Sequence, residues 1–181
     1  MKKIFKDKTI LVTGGVGSIG SQIVETLLKF NPKQIRIFDL RETELVDMQR
    51  RIKTKIDLNY FVGDVRDKSR LDFAMKDVDL VFHAAALKHV PMCEYNPFEA
   101  VKTNVGGTQN IINSALKNNV EKVINISTDK VTNTINTMGA KKLLAERLIM
   151  SANNYRGKKK TKFASVRFGN VLNSRGSIID L

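Results

Sequence analysis

Three features of the 181-residue sequence predict an α/β fold, a doubly wound parallel sheet with helices on both faces. Short β-branched runs alternate with helical patterns along the chain. The strand runs are nearly continuous in apolar residues, as strands buried on both faces should be. A glycine triplet separates the first strand from the first long helix, at the place where such folds make their tightest turn.

Each element has its own local reason. "MKKIFKDKTILVTGG" has too short an apolar run for a signal peptide and leads straight into a strand, "KTILVTG". "GSQIVETLLKF" repeats apolar residues at helical spacing (Ile23, Val24, Leu27, Leu28), and Asn31 and Pro32 stop it. "QIRIFDL" is a second strand, "RETELVDMQRRIK" a polar-faced helix, and "LNYFVGD" a third strand. "KSRLDFAMKD" and "VDLVFHAAA" continue as helix and strand. "LKHVPMCEYNP" reads as a loop, and a long helix is expected from about Phe98 to Asn118. "EKVINIST", "NTMGAKKLLAERLIMSANNY" and "TKFASVRFG" complete the series as strand, helix and sixth strand. No internal repeat interrupts it.

The hydrophobic fraction, 42%, is ordinary for a globular protein. No apolar run approaches the ~18 residues that span a bilayer. Cys93 is the single cysteine, which excludes an internal disulfide and fits a reducing cytoplasm. With 31 Lys plus Arg against 18 Asp plus Glu, the chain carries a formal charge of +13. The dense run "RGKKKTK", Arg156 to Lys162, falls between a helix and a strand and reads as a solvated loop. No aromatic stripe accompanies the charge, so nucleic-acid binding ranks last among its uses. Neither His83 nor His89 has partners at a metal-ligand or nucleophile spacing, so both read as structural and no metal is expected.

"TGGVGSIG" runs from Thr13 to Gly20, with Gly14, Gly17 and Gly20 in the pattern G-x-x-G-x-x-G. Such a turn lets the backbone approach a pyrophosphate, and the helix that starts at Ser18 and Ile19 offers N–H groups and positive partial charge. The strand before it, the helix after it and an acid at the next strand end together indicate dinucleotide binding. That acid is Asp39. Its carboxylate suits the adenosine ribose hydroxyls and favours NAD, whereas Arg41 offers a partner for the 2′-phosphate of NADP. Asp64 and Val65 end the third strand, where the adenine edge belongs. Ala84, Ala85 and Ala86 end the fourth, where small side chains let a cofactor approach. The basic charge suits such an anionic cofactor or a nucleotide-sugar, and Lys88 is a candidate for a phosphate or sugar contact.

The segments "TGGVGSIG", "GDVRD", "HAAALKHVPMCEYNPFEAVKTN", "STDK", "MGAKK" and "VRFGNVLNSRGS" together resemble the UDP-N-acetylglucosamine 4,6-dehydratases, polysaccharide-biosynthesis members of the extended short-chain dehydrogenase/reductase superfamily. The resemblance covers essentially the whole chain. It implies a Rossmann domain over residues 1–170, with residues 171–181 the start of a truncated substrate-binding domain, because family members are nearly twice as long. The group usually has Pro at the place of Thr134, Thr or Ser at Lys141 and Gly at Asn173.

The implied reaction oxidises the sugar at C4, eliminates water across C5 and C6, and returns the hydride to C6, with the cofactor tightly bound throughout. By resemblance Asp129 is the acid at C6 and Lys130 the base at C5. Thr128 is placed to hydrogen-bond the C4 hydroxyl, Lys142 holds the nicotinamide ribose, and Asn170 contacts the substrate. Dehydrogenases of this superfamily carry a proton-transferring Tyr four residues before that Lys. Here the position is Met138, which packs against sugar or nicotinamide and carries no proton. Asn104 is expected to tie the active-site strands together through its amide. The implied partner is a UDP-sugar, with a homo-oligomer expected at full length. The alternatives are a nucleotide-sugar 4-epimerase, which shares the 4-keto intermediate, and a non-catalytic NAD-binding domain.

Overall fold

The computed structural model describes residues 2–132, 137–169 and 171, apart from the side chains of Lys2, Lys130 and Met138. Six parallel strands form one sheet in the order β3-β2-β1-β4-β5-β6. The strands are β1 (Thr9–Thr13), β2 (Gln34–Asp39), β3 (Asp57–Val62), β4 (Leu80–His83), β5 (Lys122–Ile126) and β6 (Lys162–Val166). The helices are α1 (Lys2–Phe5), α2 (Ser18–Leu28), α3 (Glu42–Arg51), α4 (Lys68–Ala74), α5 (Val90–Tyr95), α6 (Pro97–Val101), α7 (Gly107–Lys117) and α8 (Thr137–Tyr155). The sheet grows outward in both directions from β1 and β4, so the connections leaving these two strands diverge and open a crevice at their C-terminal ends.

The continuous apolar runs are buried on two faces, as predicted. All five residues of β1 are buried. Leu11 joins Phe38, Val81 and Val123 under α4, α7 and α8. Ile10 and Val12 face the other way, with Ile35, Ile37 and Leu80 under α2 and α3. Strand side chains alternate between faces, so one short segment anchors both layers.

The register sets up the site. Thr13 lies level with Phe38 on one side and His83 on the other. The row continues from His83 to Asn125 and from Asn125 to Ser165. The last full row of the sheet therefore changes from aromatic to polar at β1, where the crevice opens.

Three elements differ from the sequence reading. Part of the expected loop after Ala86 is the helix α5, with Pro91 in its first turn and Cys93 buried against Val90 and Ala100. The N-terminal lysines belong to α1, held by Phe5, whose ring lies 5.3 Å from that of Phe30 and 6.3 Å from that of Phe82. The long helix expected from Phe98 to Asn118 is continuous from Pro97 to Lys117, but its stretch Lys102–Gly106 is π-helical. An extra residue per turn in a helix is costly and concentrates at functional sites. Here it carries Asn104.

Leu11→Ala removes a fully buried side chain from the larger core cluster. It should lower the unfolding free energy by about 2–5 kcal/mol in urea titrations. A loss below about 1 kcal/mol would show that Leu11 is not packed into that cluster.

Candidate active site

The glycine turn is defined by what it cannot hold. Gly14 has a φ of 67°, and a methyl group on it would come 2.6 Å from the Ala85 nitrogen. A methyl group on Gly20 would stand 2.1 Å from the Gly14 carbonyl oxygen. The Gly17 N–H donates to that same oxygen at 3.0 Å. Gly17 then caps α2 in extended conformation and makes no side-chain cap over the helix end. Ala84 and Ala85 pack directly on Gly14, and the Ala84 N–H donates to the Thr13 carbonyl at 3.0 Å. Ala86 continues the same part-buried connection.

Asp39 lies at the end of β2, 8% exposed. One carboxylate oxygen accepts from the Val16 N–H of the glycine turn at 3.2 Å. The other accepts from the backbone and side chain of Arg41 at 3.2 and 3.3 Å. Arg41 also reaches Glu44 at 3.2 Å. The acid and the guanidinium weighed as rival cofactor selectors are thus bonded to each other.

Beneath the crevice runs a chain of buried polar contacts. The Thr13 hydroxyl and His83 Nδ1 are 2.8 Å apart, and His83 Nε2 is 3.2 Å from the Thr108 hydroxyl. That hydroxyl donates its proton to the Asn104 carbonyl at 2.6 Å. It can only accept from His83, so Nε2 carries the imidazole proton and Nδ1 accepts from Thr13. Burial, with the charge of Lys142, pulls the imidazole pKa down to about 3, so His83 is neutral. The Asn104 amide closes the chain: it accepts from the Leu87 N–H at 2.8 Å and donates to the Leu87 carbonyl at 2.9 Å.

At the end of β5 the chain turns through Ser127, Thr128 and a short 3₁₀ turn, Asp129–Val131. The Asp129 N–H donates to the Phe168 carbonyl at 3.1 Å, and the Thr128 hydroxyl donates to the Asp129 carboxylate at 3.0 Å. Asp129 itself is exposed. On α8, the Lys142 ammonium donates to the Ile126 carbonyl at 3.0 Å, at the mouth of the same strand. Desolvation lowers its pKa from 10.5 to about 8. The neighbouring Lys141 does not share this position. It is 4% exposed and its ammonium has no hydrogen-bond partner among the described residues.

Three charged residues that the sequence reading passed over hold α8 in place. Glu94 on α5 accepts from the Thr137 N–H at 2.6 Å and the Thr137 hydroxyl at 2.7 Å, which caps the first turn of α8 and keeps the carboxyl below its usual range. Glu146, one turn beyond Lys142, accepts from the Ser127 hydroxyl at 2.9 Å and pairs with Arg167 beyond β6. Arg167 holds the Glu146 carboxyl down against the opposing effect of burial. Glu146 was open to discovery as the i+4 neighbour of Lys142 on one helix face. Glu94 left no such signal.

Other predicted residues fall away from this cluster. Asp64 is bound to Arg66 through its backbone N–H at 2.9 Å and its guanidinium at 2.7 Å; burial opposes ionisation there, but these bonds keep the carboxyl below its usual range. The Val65 side chain is buried in the core and its carbonyl accepts from Asn110. Lys88 is exposed in the connection after β4, and His89 precedes α5. The side chains of Lys130 and Met138, and all of Asn170, Thr134 and Asn173, lie outside the described residues.

A family model described as "Polysaccharide biosynthesis protein" matches residues 10–181. Over all 181 residues the chain is 64% identical to a protein of Methanocaldococcus jannaschii described as an uncharacterized membrane protein, covering 54% of it. It is 47% identical over 177 residues to an inverting UDP-N-acetylglucosamine 4,6-dehydratase of Campylobacter jejuni, covering 97% of this chain and 53% of that one. It is 45% identical over 182 residues to a UDP-glucose 4-epimerase of Rickettsia bellii, covering 98% and 53%. The chain therefore spans about half the length of the curated relatives it matches. Among solved structures it is similar to Pen from Bacillus thuringiensis, with a TM-score of 0.94 and 46% identity over 97% of this chain and 54% of that one. It is also similar to MoeE5 in complex with UDP-glucose and NAD, with a TM-score of 0.75 and 26% identity over 88% and 54%. Among the described residues no helix is long and apolar enough to cross a membrane.

The depressed Lys142 amine has a consequence for stability. Between its folded pKa of about 8 and the usual 10.5, the unfolded chain binds more protons, so this group's penalty is full below pH 8 and fades as pH rises through that window. Lys142→Met should be more stable than the parent by roughly 2 kcal/mol near pH 7. The gap should close towards pH 10, measured by denaturant unfolding. A gap that does not change with pH would show that Lys142 is solvated in the native state.

Proposed function

Because this chain belongs to the polysaccharide biosynthesis protein family, we propose that it supplies the cofactor-binding and acid–base portion of a nucleotide-sugar 4,6-dehydratase acting on UDP-N-acetylglucosamine. The observation that carries the reading is the Thr128–Asp129–Lys130 turn at the mouth of β5, beside the Lys142 ammonium, with a methionine where a proton-transferring tyrosine would stand. Ionisable groups are thus concentrated on the strand end and not at position 138.

The glycine turn fits a dinucleotide. A side chain on Gly14 or Gly20 would strike the Ala85 backbone or the Gly14 carbonyl, so these glycines let the turn close tightly at the start of α2, where Gly17 supplies no capping side chain. Asp39 supports NAD over NADP, since Arg41 is engaged by Asp39 and Glu44. When bound, the nicotinamide supplies uptake of a hydride from the sugar and its return.

The chain's own residues do the rest. Lys142 holds the nicotinamide ribose, and its positive charge favours loss of the C4 hydroxyl proton. Thr128 accepts from that hydroxyl and passes its own proton to the Asp129 carboxylate it already contacts, so the C4 proton becomes the one delivered at C6. Lys130 takes the C5 proton, made acidic by the neighbouring ketone, and Asp129 protonates the departing C6 hydroxyl. Exposure of Asp129 in this chain leaves its carboxyl open to a sugar, and the Thr128 hydroxyl steadies it. Lys88 and Asn170 contact the substrate.

A second reading, a nucleotide-sugar 4-epimerase, is favoured by the Rickettsia relative, nearly as similar as the dehydratase. It would use the same C4 oxidation and leave Asp129 and Lys130 without an elimination to perform.

Incubation of the purified chain with UDP-N-acetylglucosamine and NAD should yield a 4-keto-6-deoxy product lighter by one water, read by mass spectrometry. Asp129→Asn and Lys130→Ala should each slow it by about 10²–10⁴-fold while dinucleotide retention is unchanged. A 4-epimer formed without loss of water selects the second reading. Absence of either product overturns both for this chain.

A further inference from the structure

The excess positive charge of this protein is not spread evenly. In a doubly wound fold the connections that lead into strands gather on one face, and those that leave strands gather on the opposite, ligand-binding face. In the connections leading in (residues 6–8, 29–33, 52–56, 75–79, 118–121 and 156–161) Lys and Arg outnumber Asp and Glu eleven to four. In the connections leaving β1 to β4 (residues 14–17, 40–41, 63–67 and 84–89) the ratio is three to two.

The two faces also treat their cations differently. Around the ligand-binding end Arg41, Arg66, Lys68, Lys102 and Arg167 are ion-paired, while the buried Lys141 and the half-buried Lys142 on α8 have no ion pair among the described residues. On the opposite face Lys8 pairs with both Asp79 and Glu121, which occupies two of the four acids. Among the described residues, none of the other ten cations in those connections forms an ion pair. Lysines in a last helical turn are explained by the helix dipole. That does not explain Lys53, Lys55 or the run Lys158–Lys160, which stand beyond their helices and are exposed.

The densest part surrounds a recess of about 470 Å³ between the Lys158–Lys160 loop and the start of β5, with Lys122 and Lys162 on its walls. Lys159 reaches across it to the Asn119 side-chain oxygen at 2.6 Å. Two exposed apolar groups lie on the same face, Tyr155 before the basic loop and Ile4 on α1.

From this distribution we propose that the face at the N-terminal edge of the sheet docks on an anionic lipid bilayer. A planar, laterally fluid array of phosphates matches charges spread over connections along a six-stranded sheet, roughly 24 Å across. Ten of the eleven cations are lysines, point charges on flexible stems that suit diffuse attraction and not the planar forked contacts through which arginine grips bases and nucleic-acid phosphates. Tyr155 is the kind of side chain that settles at a headgroup boundary. Strands of five residues separate the two faces by roughly 16 Å, so docking leaves the glycine turn and Asp129 open to solvent.

The test is co-sedimentation of the intact chain with vesicles, either pure phosphatidylcholine or containing about 30% phosphatidylglycerol, at about 0.1 M salt. Partition onto the anionic vesicles should exceed that onto neutral ones by at least about tenfold and be lost at about 0.5 M salt. The triple change Lys158→Glu, Lys159→Glu, Lys160→Glu should reduce it by about tenfold or more, and Lys53→Glu with Lys55→Glu by a smaller factor. Lys102→Glu, on the other face, should leave it unchanged. Unaltered melting temperatures show that the variants fold. Equal partition onto both vesicle types overturns the proposal, as does indifference to both sets of reversals. Retention of an RNA oligonucleotide at the same salt, with no binding to anionic vesicles, overturns it in favour of a nucleic-acid surface.

Discussion

The contact between the Thr13 hydroxyl and the His83 ring, 2.8 Å apart in the interior, joins the two strands from which the sheet grows in opposite directions. Everything at the ligand-binding end is referred to it. It fixes β1 against β4 in the register that brings Gly14 onto Ala84 and Ala85. It works because His83 is neutral: a buried imidazolium next to Lys142 would be costly, and the low pKa removes that cost. The neutral ring then donates to Thr108 and accepts from Thr13, which extends the join into the π-helical stretch and, through Asn104, to the connection after β4. No member of this chain is itself placed to react. Its effect is to hold the walls of the crevice at a fixed separation.

Around that frame, helix α8 is held from two directions. Glu94 caps the start of α8 from α5, and Glu146 ties its middle to Ser127 and Arg167. Lys142 lies between these two anchors, so its ammonium is presented to the strand end by a helix fixed on either side. Most of the charge at this end of the molecule is tied into directional contacts. At the other end it is unbalanced and diffuse, and the length of the strands keeps the two regimes apart.

Much of this was legible because it is written locally. The alternation of strands and helices follows from apolar periodicity, and the glycine turn from spacing within eight residues, Thr13 to Gly20. Asn104 was expected to tie the active-site strands together; its amide instead bonds both backbone groups of Leu87, in the connection after β4 and seventeen residues away. Helix α5 was hidden because two prolines and an asparagine mark a loop by composition, while burial of Cys93 against Ala100 makes a helix of it. Val65 was placed at the adenine edge from its position after β3; the packing of its side chain in the core above Gly107 is what the sequence did not show.

By itself, then, the sequence determined the fold class, the phosphate-cradling turn and the absence of an ionisable group at position 138, since each depends on residue type and short-range spacing. Only the tertiary structure decided which acids serve as caps and ties, because Glu94 and Thr137, or Glu146 and Arg167, are distant in the chain and become neighbours through packing. It likewise decided where the net charge resides. The run Arg156 to Lys162 reads as one solvated loop, but parallel topology turns every helix-to-strand connection to the same side, and lysines scattered through the chain become a single basic face on which only Lys8, among the described cations of those connections, is ion-paired.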